Sequence, residues 1–270
     1  MKLLTGLREL VARYDLFIVD QYGVLHNGTV AHAGAVDCFQ RLLREHPDKR
    51  VVILSNTSRR ASGVTRLLAS LGFDTGFAGA ITGGEAAWRY LRDHRDTLSK
   101  CALMTSNVAA NVGDRDTNAE SMFYGLDHLR VTPLDEADFL LVEGSLQISY
   151  SGDERDIAQE YERRGGRVLY FGKPLKEHFD ACITLAESTT TVSPMDCARV
   201  VHIGDSMQHD IHGARATGID SVFIGRGIHA RDVLQNAAPE AKPALDEAKL
   251  TAFVSQTGVE PTFAIAAFTW

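Results

Sequence analysis

The carboxylate of Asp20 comes at the end of an apolar run, residues 16–19, and is followed by a turn that contains Gly23 and Gly28. A charged residue is out of place inside a buried strand. Its position makes sense if it points from the carboxyl edge of a sheet toward a ligand. The glycines allow the chain to leave the strand sharply. Asp20 is therefore the first candidate for nucleophilic or metal chemistry.

Two further carboxylates, Asp205 and Asp210, flank a turn that follows the strand predicted at 199–203. Together with Asp20 they form a set of hard oxygen ligands of the kind that suits Mg²⁺. An aspartate after a strand is also a common helix cap, which is the competing interpretation of Asp205 taken alone. The pairing with Asp20 at a second strand end favours the metal site.

A polar triplet, Ser55, Asn56 and Thr57, directly follows the apolar run 51–54. Hydroxyl and backbone N–H groups at a turn from strand to helix can hold phosphate oxygens. An ordinary helix cap explains the same residues equally simply. Only the combination with Asp20 gives the triplet a predicted function.

Lys173 lies between Gly172 and Pro174, after an apolar run. Its ammonium group is a compact point charge suited to a phosphate and a nucleophilic carboxylate. A solvated surface lysine is the competing interpretation. With the other three segments, Lys173 indicates phosphoryl transfer through an aspartate.

The elements around these residues alternate between strands and helices. Strands are predicted at 16–19, 50–55, 80–82, 100–105, 131, 139–142, 167–171, 199–203 and 221–224, and helices at 4–13, 33–45, 62–71, 85–95, 153–164, 176–187 and 211–217. Such alternation predicts an α/β fold with a doubly wound, mostly parallel sheet covered on both faces. The glycine pairs at 83–84 and 165–166 are expected to bracket an inserted domain.

Composition excludes several classes of protein. A net charge of −7 argues against a nucleic-acid binder. The sequence contains no run of about 18 apolar residues, so it predicts no membrane span. The N-terminus lacks the pattern of a signal peptide. The four cysteines have no paired spacing, which indicates reduced thiols in a cytoplasmic protein.

The four segments, in this order and spacing, resemble the four motifs of the haloacid dehalogenase-like (HAD) superfamily. They are Asp20 with the turn to Gly28, the stretch 55–60 that begins Ser55-Asn56-Thr57, Gly172-Lys173-Pro174, and Gly204-Asp205 with Asp210. An extra domain between the second and third motifs resembles subclass IIA, a group of sugar-phosphate and nucleotide phosphatases. The resemblance implies a Rossmann-like core at 1–82 and 166–270 with an inserted, shortened α/β cap at 83–165.

The resemblance also implies roles for individual residues. Asp20 would be the nucleophile and would form an aspartyl-phosphate. Mg²⁺ would be held by Asp20, the backbone carbonyl of Tyr22 and Asp205, with Asp210 supporting it. Residues implied to hold the transferring phosphoryl group are Ser55, Asn56, Thr57 and Lys173.

Tyr22 departs from the pattern of the family. In these phosphatases the residue two after the nucleophile is normally a second aspartate, which protonates the leaving alcohol and later activates water. A phenol holds its proton until about pH 10 and is a poor base at neutral pH. Losing general acid–base catalysis costs on the order of 10²–10⁴ in rate. One bacterial branch of subclass IIA carries a tryptophan in this place.

A second departure is the length of the inserted domain. Only about thirty residues separate Val142 from Lys173, where relatives place a further strand, a helix and an Asn-Pro-Asp loop. We therefore expect an altered surface for substrate recognition. The resemblance implies dimers formed through the cap, although the shortening weakens that expectation.

Three other residues are candidates without an assigned role. His209 replaces the threonine usual before the last aspartate, and Arg226 and His229 follow the strand at 221–224. Each could reach the edge of the site, and each is also explained as an ordinary loop residue.

Two functions follow from these patterns. The first is a Mg²⁺-dependent phosphohydrolase acting on a small phosphorylated metabolite, with neither nucleic acid nor membrane as a partner. The second is a catalytically impaired protein that binds a phosphorylated ligand or a partner. A third alternative keeps the chemistry but uses leaving groups that need no acid, such as those of acyl phosphates or phosphonates.

Overall fold

The computed structural model describes residues 1–105, 121–144, 147–150, 153–190, 194–236 and 242–270, with backbone alone at 147–150 and 153–155. The chain divides into two compact units. The first contains residues 1–55, 64–81 and 173–270, and the second contains residues 56–63 and 82–172. The predicted insertion at 83–165 is shorter than the second unit at both ends, and its assignment as a cap stays a prediction.

The strands and helices are numbered here in chain order. The strands are β1 Lys2–Leu3, β2 Leu16–Val19, β3 Arg50–Ser55, β4 Gly79–Thr82, β5 Lys100–Met104, β6 Arg130–Val131, β7 Phe139–Val142, β8 Gln147–Tyr150, β9 Asp153–Asp156, β10 Val200–Gly204, β11 Asp220–Ile224 and β12 Phe263–Ile265. The helices are α1 Ala35–Glu45, α2 Ala61–Ser70, α3 Gly83–Asp93, α4 Ile157–Arg163, α5 Lys176–Glu187, α6 His212–Thr217, α7 Ala230–Val233 and α8 Glu247–Thr257.

A seven-stranded sheet in the order β1-β12-β11-β10-β2-β3-β4 forms the centre of the first unit. The pairs from β1 to β3 along this order all run parallel. Helices flank the sheet, so the unit has the predicted α/β, Rossmann-like fold. Parallel sheets of this kind are buried on both faces, and every residue of β2 and β10 is buried.

Two apolar clusters pack in this unit. One joins strands β2, β3 and β10 to helices α5 and α6, with Phe179 and Ala214 among its fully buried members. The other joins β11 and β12 to α7 and α8, and includes Phe223 and Leu250. Burial of one such side chain contributes roughly 1.5–3 kcal/mol. The clusters therefore fix the central strands whose ends carry the chemistry.

The register brings three strand ends level. Val19 of β2 lies opposite Ile53 of β3 on one side and Ile203 of β10 on the other. Residues that follow these positions must meet at the carboxyl edge of the sheet, because the strands are parallel. That edge is where α/β sheets bind ligands.

The second unit contains a three-stranded sheet in the order β6-β5-β7, with parallel pairing, and the antiparallel pair β8–β9. Its own core includes Leu91 of α3, Cys101 of β5 and the buried Phe123. Helix α3 begins at the glycine pair, and a Cβ atom added to Gly84 would lie 1.9 Å from the carbonyl oxygen of Ser58. These glycines therefore allow a close backbone approach.

The strand predicted at 167–171 is wrong. Residues 166–171 have no regular secondary structure, and Leu169 and Tyr170 are 47% and 45% exposed. The Tyr170 hydroxyl donates to Glu162 at 2.9 Å, and the Phe171 ring packs 5.6 Å from that of Tyr90. Side chains of this apolar run thus make contacts within the second unit without forming a strand, although the composition of the run is typical of one.

Two predicted helices are shorter than expected. The segment 153–164 begins as strand β9, and Asp156 then caps α4 by accepting hydrogen bonds from the N–H groups of Ala158 and Gln159. The segment 4–13 contains only a short 3₁₀ helix at Leu7–Leu10. The spacing of apolar residues along a segment does not reveal where a cap begins the helix or where a 3₁₀ turn replaces it.

Candidate active site

Asp20 is the first residue after β2, as predicted. Its backbone N–H donates to the carbonyl of Ile203 at 2.9 Å, which extends the pairing with β10 by one residue. Its side chain is only 10% exposed and lies 2.8 Å from Nζ of Lys173. Burial raises the pKa of Asp20 to about 7; Lys173 opposes this rise, whereas Asp210 and Asp205 add to it.

Asp205 follows β10 and is enclosed by backbone on two sides. A Cβ atom added to Gly23 would lie 1.9 Å from its Oδ2, and one added to Gly227 would lie 2.1 Å from the same atom. The backbone N–H of Ile228 donates to Oδ2 at 2.8 Å. Burial, reinforced by the charge of Asp210, raises the pKa of Asp205 to about 6. A glycine in each of two turns therefore lets the backbone lie close against this carboxylate.

Asp210 is fully buried and accepts hydrogen bonds at both oxygens. Its Oδ1 lies 2.8 Å from Nε2 of His202 and 2.7 Å from Nζ of Lys173. Its Oδ2 accepts from the N–H of Ser206 at 2.9 Å. Burial by itself would raise the pKa of Asp210, but Lys173 and His202 outweigh it and hold the pKa below its ordinary value.

Lys173 bridges two carboxylates at the sheet edge. Its ammonium lies between Asp20 and Asp210, with a side chain that is 3% exposed. Burial alone would lower the pKa of this lysine, but the two carboxylates reverse that effect and raise it. Lys173 therefore stays charged, at a place where it can offset negative charge.

The three carboxylates form one cluster. One oxygen from each of Asp20, Asp205 and Asp210 lies within 4.8 Å of the others. One ammonium, that of Lys173, accompanies these three buried carboxylates. This donor set fits a hard divalent cation such as Mg²⁺. Asp20 and Asp205 would hold it, since Asp210 is engaged with His202, Ser206 and Lys173.

The polar triplet is divided between the two units. Ser55 ends β3 in the first unit and is buried. Asn56 and Thr57 belong to the second unit, where Oδ1 of Asn56 fills the space beside Gly172 and the carbonyl of Thr57 accepts from the N–H of Gly84 at 3.0 Å. A phosphate-binding role for all three stays a prediction.

Tyr22 is 41% exposed, and its ring is held from one side. It meets the ring of His26 edge-on, with 4.7 Å between the centroids. A Cβ atom added to Gly28 would lie 3.0 Å from Cε1 of Tyr22. His26 is itself fixed, because Nδ1 accepts from the N–H of Gly28 at 2.9 Å and Nε2 lies 3.3 Å from Oε1 of Gln21.

The remaining candidates lie near this edge but have local explanations. Nδ1 of His209 lies 3.1 Å from the hydroxyl of Ser206. The ring of His229 packs 4.6 Å from that of Phe253. The backbone N–H of Arg226 donates to Ala266 at 2.8 Å. None of these contacts assigns a catalytic role.

Sequence reasoning missed two contributors to the site. His202 lies in the middle of a buried strand, where the sequence predicts a strand and no functional side chain. A polar residue among aliphatic ones in a central strand is the signal that would have found it, since buried polar groups need partners. The backbone N–H of Ile228 gives no such signal, because a backbone donor is independent of residue type.

Two family models match the chain. The haloacid dehalogenase-like hydrolase model matches residues 17–116, and the HAD-hydrolase-like model matches residues 170–249, so that together they span more than half of the chain. The first match includes Asp20 and Ser55, and the second includes Lys173, Asp205 and Asp210. The chain belongs to the haloacid dehalogenase-like hydrolases. The resemblance predicted from the four segments is confirmed.

Several solved structures share the fold of this chain. A haloacid dehalogenase-like hydrolase from Brucella suis has a TM-score of 0.72 and 21% identity, covering 98% of this chain and 100% of its own. A possible sugar phosphatase from Cytophaga hutchinsonii has a TM-score of 0.70 and 15% identity, with 99% and 98% coverage. A p-nitrophenyl phosphatase from Archaeoglobus fulgidus has a TM-score of 0.61 and 15% identity, with 94% and 96% coverage.

One curated relative matches a smaller part. A putative NipSnap protein of Caenorhabditis elegans is 30% identical over 127 residues, which are 45% of this chain and 24% of that protein. The chain thus spans about a quarter of this relative's length, so the name of that protein carries no activity over to this hydrolase. Among the described residues, no helix is both long and apolar enough to cross a membrane.

Proposed function

We propose that this hydrolase is a Mg²⁺-dependent phosphatase that acts on a small phosphorylated metabolite through Asp20. The observation that carries the proposal is the arrangement of one buried lysine among three buried carboxylates, with Lys173 bridging Asp20 and Asp210. Solved structures with the same fold, a possible sugar phosphatase and a p-nitrophenyl phosphatase, support the same reaction.

In the proposed reaction, a carboxylate oxygen of Asp20 attacks phosphorus and displaces the leaving oxygen, which gives an aspartyl-phosphate. Lys173 favours the ionised form of the nucleophile and offsets the charge of the phosphoryl oxygens. Asp210 holds the lysine in place. A bound Mg²⁺, held by Asp20 and Asp205 with the Tyr22 carbonyl, would neutralise charge between the two anions.

The second unit would act as the cap that covers the substrate, and Ser55, Asn56 and Thr57 would bind the phosphoryl group. A homodimer and a cytoplasmic location stay predictions. Neither nucleic acid nor a membrane is proposed as a partner.

A second candidate function rests on Tyr22. A phenol replaces the expected carboxylic acid beside the nucleophile, so the protein would bind a phosphorylated ligand without turning it over. The change Tyr22→Asp discriminates between the two functions, because it restores an acid–base group. Hydrolysis that arises only in this variant would favour the binding protein.

The experiment that tests the proposed function is phosphate release from a panel of phosphorylated metabolites and p-nitrophenyl phosphate. We expect release by the natural protein with Mg²⁺, loss with a chelator, and a fall of at least about 10³ in Asp20→Asn, because the nucleophile is removed. Asp37→Asn is the matched control, since Asp37 lies on α1 with a side chain that is 71% exposed. Equal activity in the two variants would contradict the proposal.

A further inference from the structure

The carboxylates and the lysine around Asp20 are each already engaged. Nζ of Lys173 lies 2.8 Å from Asp20 and 2.7 Å from Asp210. Both oxygens of Asp210 accept hydrogen bonds. Asp205 accepts from the N–H of Ile228 at 2.8 Å and belongs to the proposed metal site. Within the described part of the first unit, this cluster therefore contains no carboxylic acid that is free to protonate a departing oxygen.

The turn that follows the nucleophile carries Tyr22 two residues after Asp20. Its ring is held edge-on by His26 at 4.7 Å and lies against Gly28, with 41% of the residue exposed. His26 is fixed in turn by the Gly28 N–H and by Gln21. This position is thus occupied by a well-supported aromatic ring that carries a phenol and supplies no carboxyl group.

We propose that this site is selective for phosphoryl compounds whose leaving group departs as a stable anion: aryl, enol and acyl phosphates rather than phosphate esters of simple alcohols. The inference rests on the proposed function, because it names the substrate class of the same site. Its physical reason is that a departing alkoxide needs a proton in the transition state, whereas a phenolate, an enolate or a carboxylate does not.

The proposed steps balance as follows. A carboxylate oxygen of Asp20 forms a bond to phosphorus, the bond from phosphorus to the leaving oxygen breaks, and the electron pair stays on that oxygen. A water oxygen then attacks the phosphorus of the aspartyl-phosphate. The bond to Asp20 breaks and regenerates the carboxylate, and both protons of the water leave with the product as dihydrogen phosphate.

A kinetic consequence distinguishes the two steps. Weak acid–base assistance makes the first step depend on the leaving group, so kcat/KM is expected to fall by at least about 10² from p-nitrophenyl phosphate to ethyl phosphate. The second step is common to all substrates. We expect this second step to limit turnover when the leaving group is good. Acetyl phosphate and p-nitrophenyl phosphate should then share one kcat, and p-nitrophenyl phosphate should give an initial burst of about one nitrophenol per site.

The test measures kcat/KM with Mg²⁺ for p-nitrophenyl, phenyl, acetyl and ethyl phosphate. In Tyr22→Asp, we expect kcat/KM for ethyl phosphate to rise at least about tenfold, because a carboxylic acid is restored. In Tyr22→Phe, which keeps the ring, the ratio between p-nitrophenyl and ethyl phosphate should stay within about threefold of the natural protein's. Tyr124→Asp is the charge-matched control, since Tyr124 is also 41% exposed.

Two outcomes overturn the inference while leaving a phosphohydrolase in place. One is ethyl phosphate turned over as readily as the aryl and acyl compounds. The other is a ratio between p-nitrophenyl and ethyl phosphate that widens well beyond threefold in Tyr22→Phe, because the phenol would then be the acid. If none of the compounds releases phosphate in a reaction that depends on Asp20, the proposed function is overturned, and the inference with it. Should Tyr22→Asp fail to fold, the dependence of kcat/KM on the leaving group in the natural protein decides.

Discussion

Asp210 connects the nucleophile to the interior of the sheet. His202 donates to its Oδ1 from β10, the N–H of Ser206 donates to Oδ2 from the following turn, and Nζ of Lys173 lies 2.7 Å from Oδ1. His202 is fully buried, and its ring meets that of Phe179 edge-on at 5.0 Å. The position of Lys173 beside Asp20 therefore depends on a histidine that is remote from substrate.

We predict that His202→Leu weakens both stability and phosphate binding. Loss of a buried hydrogen bond to a charged group lowers the free energy of unfolding by about 1.5–3 kcal/mol. A less firmly held Asp210 also displaces Lys173, so the Ki of inorganic phosphate should rise about tenfold, which corresponds to about 1.4 kcal/mol. Urea unfolding and inhibition by phosphate measure the two effects.

His202→Gln is the matched variant, because it keeps an N–H donor and should restore part of the phosphate affinity. If His202→Leu loses stability while the Ki stays unchanged, the histidine has only a packing role.

At this scale, the sequence was sufficient wherever a polar side chain interrupts an apolar run at a strand end. Asp20, Ser55 and Asp205 follow that pattern. It could not reveal that Asp210 is committed to His202, because the partner lies eight residues away inside a strand. Nor could it place Asn56 and Thr57 in a different unit from Ser55, since that depends on tertiary contacts.

Asp15 ties together the beginnings of three neighbouring strands. Its backbone N–H donates to Arg199 before β10, and its carbonyl accepts from Arg50 of β3, both at 2.8 Å. Its carboxylate pairs with Arg199, and with Lys49 at 3.0 Å. The Arg199 hydrogen bond, helped by Lys49, overcomes burial and lowers the pKa of Asp15 to about 2.

We predict a pH-dependent effect of Asp15→Asn on stability. The folded pKa lies below the ordinary value of about 3.9, so the charged form stabilises the fold above that pH and the contribution is lost as the pH falls toward 2. Since the side chain is 42% exposed, solvent screening limits the effect at pH 7 to about 1 kcal/mol. Thermal unfolding of both proteins between pH 7 and pH 2.5 should show curves that converge on the acid side; a constant difference would contradict the assignment.

Helices α5 and α6 approach closely at Gly213. A Cβ atom added there would lie 2.3 Å from the Phe179 ring and 3.2 Å from Cα of Pro174, the neighbour of Lys173. We predict that Gly213→Ala destabilises the fold by about 1–3 kcal/mol through overpacking and lowers kcat/KM, because the lysine loop must shift. Denaturant unfolding and phosphate-release assays measure this.

Gly76→Ala is its control, because an added Cβ there meets only Oδ1 of the Asp74 side chain, at 3.2 Å. Equal losses in the two variants would argue against the close approach at Gly213.

The elements themselves were predictable where length and burial agree. Helix α5 has the predicted limits, Lys176–Glu187, because its apolar spacing continues to its end. The run at 167–171 has the composition of a strand but half-exposed side chains. Only tertiary packing decides whether such a run forms a strand or an irregular segment. Pairing of β8 with β9 was equally invisible, since the polar β9 sequence Asp-Glu-Arg-Asp is atypical of a strand.

Each unit of the whole molecule contains one of the two tryptophans. Trp88 lies on α3 of the second unit, and Trp270 lies in the first. Fluorescence can therefore report on the units separately. In the second unit, Nε of Arg60 lies 2.6 Å from Glu85, and its guanidinium covers the Trp88 ring at 3.7 Å.

We predict that Arg60→Ala lowers the urea midpoint reported by Trp88 in a Trp270→Phe background. Both side chains of the Arg60–Glu85 pair are 14% exposed, so removal of the arginine leaves a largely buried carboxylate and costs about 2 kcal/mol. Arg89 pairs with the same glutamate but is 61% exposed, and Arg89→Ala should cost less than about 1 kcal/mol. Similar shifts of the urea midpoint in the two variants would show that the buried pair contributes no more to stability than the exposed pair.

At the scale of the molecule, alternating strands and helices were enough to predict the parallel sheet, and the glycine pairs indicated an inserted domain. The limits of that unit were harder to predict. Its boundary at 172 and its segment 56–63 are set by contacts such as Gly172 with Asn56 and Gly84 with Ser58, and glycine pairs in the sequence mark such approaches only loosely.

The central claim, that Asp20 carries the phosphoryl group, is tested most directly by trapping it. The protein would be mixed with p-nitrophenyl phosphate and Mg²⁺, quenched in acid within the burst, digested and analysed by mass spectrometry, with Asp20→Asn and Asp37→Asn alongside. The account predicts one phosphoryl group on the peptide that contains Asp20 in the natural protein and in Asp37→Asn, and none in Asp20→Asn. Turnover without a phosphorylated Asp20, or the same label in all three proteins, would contradict it.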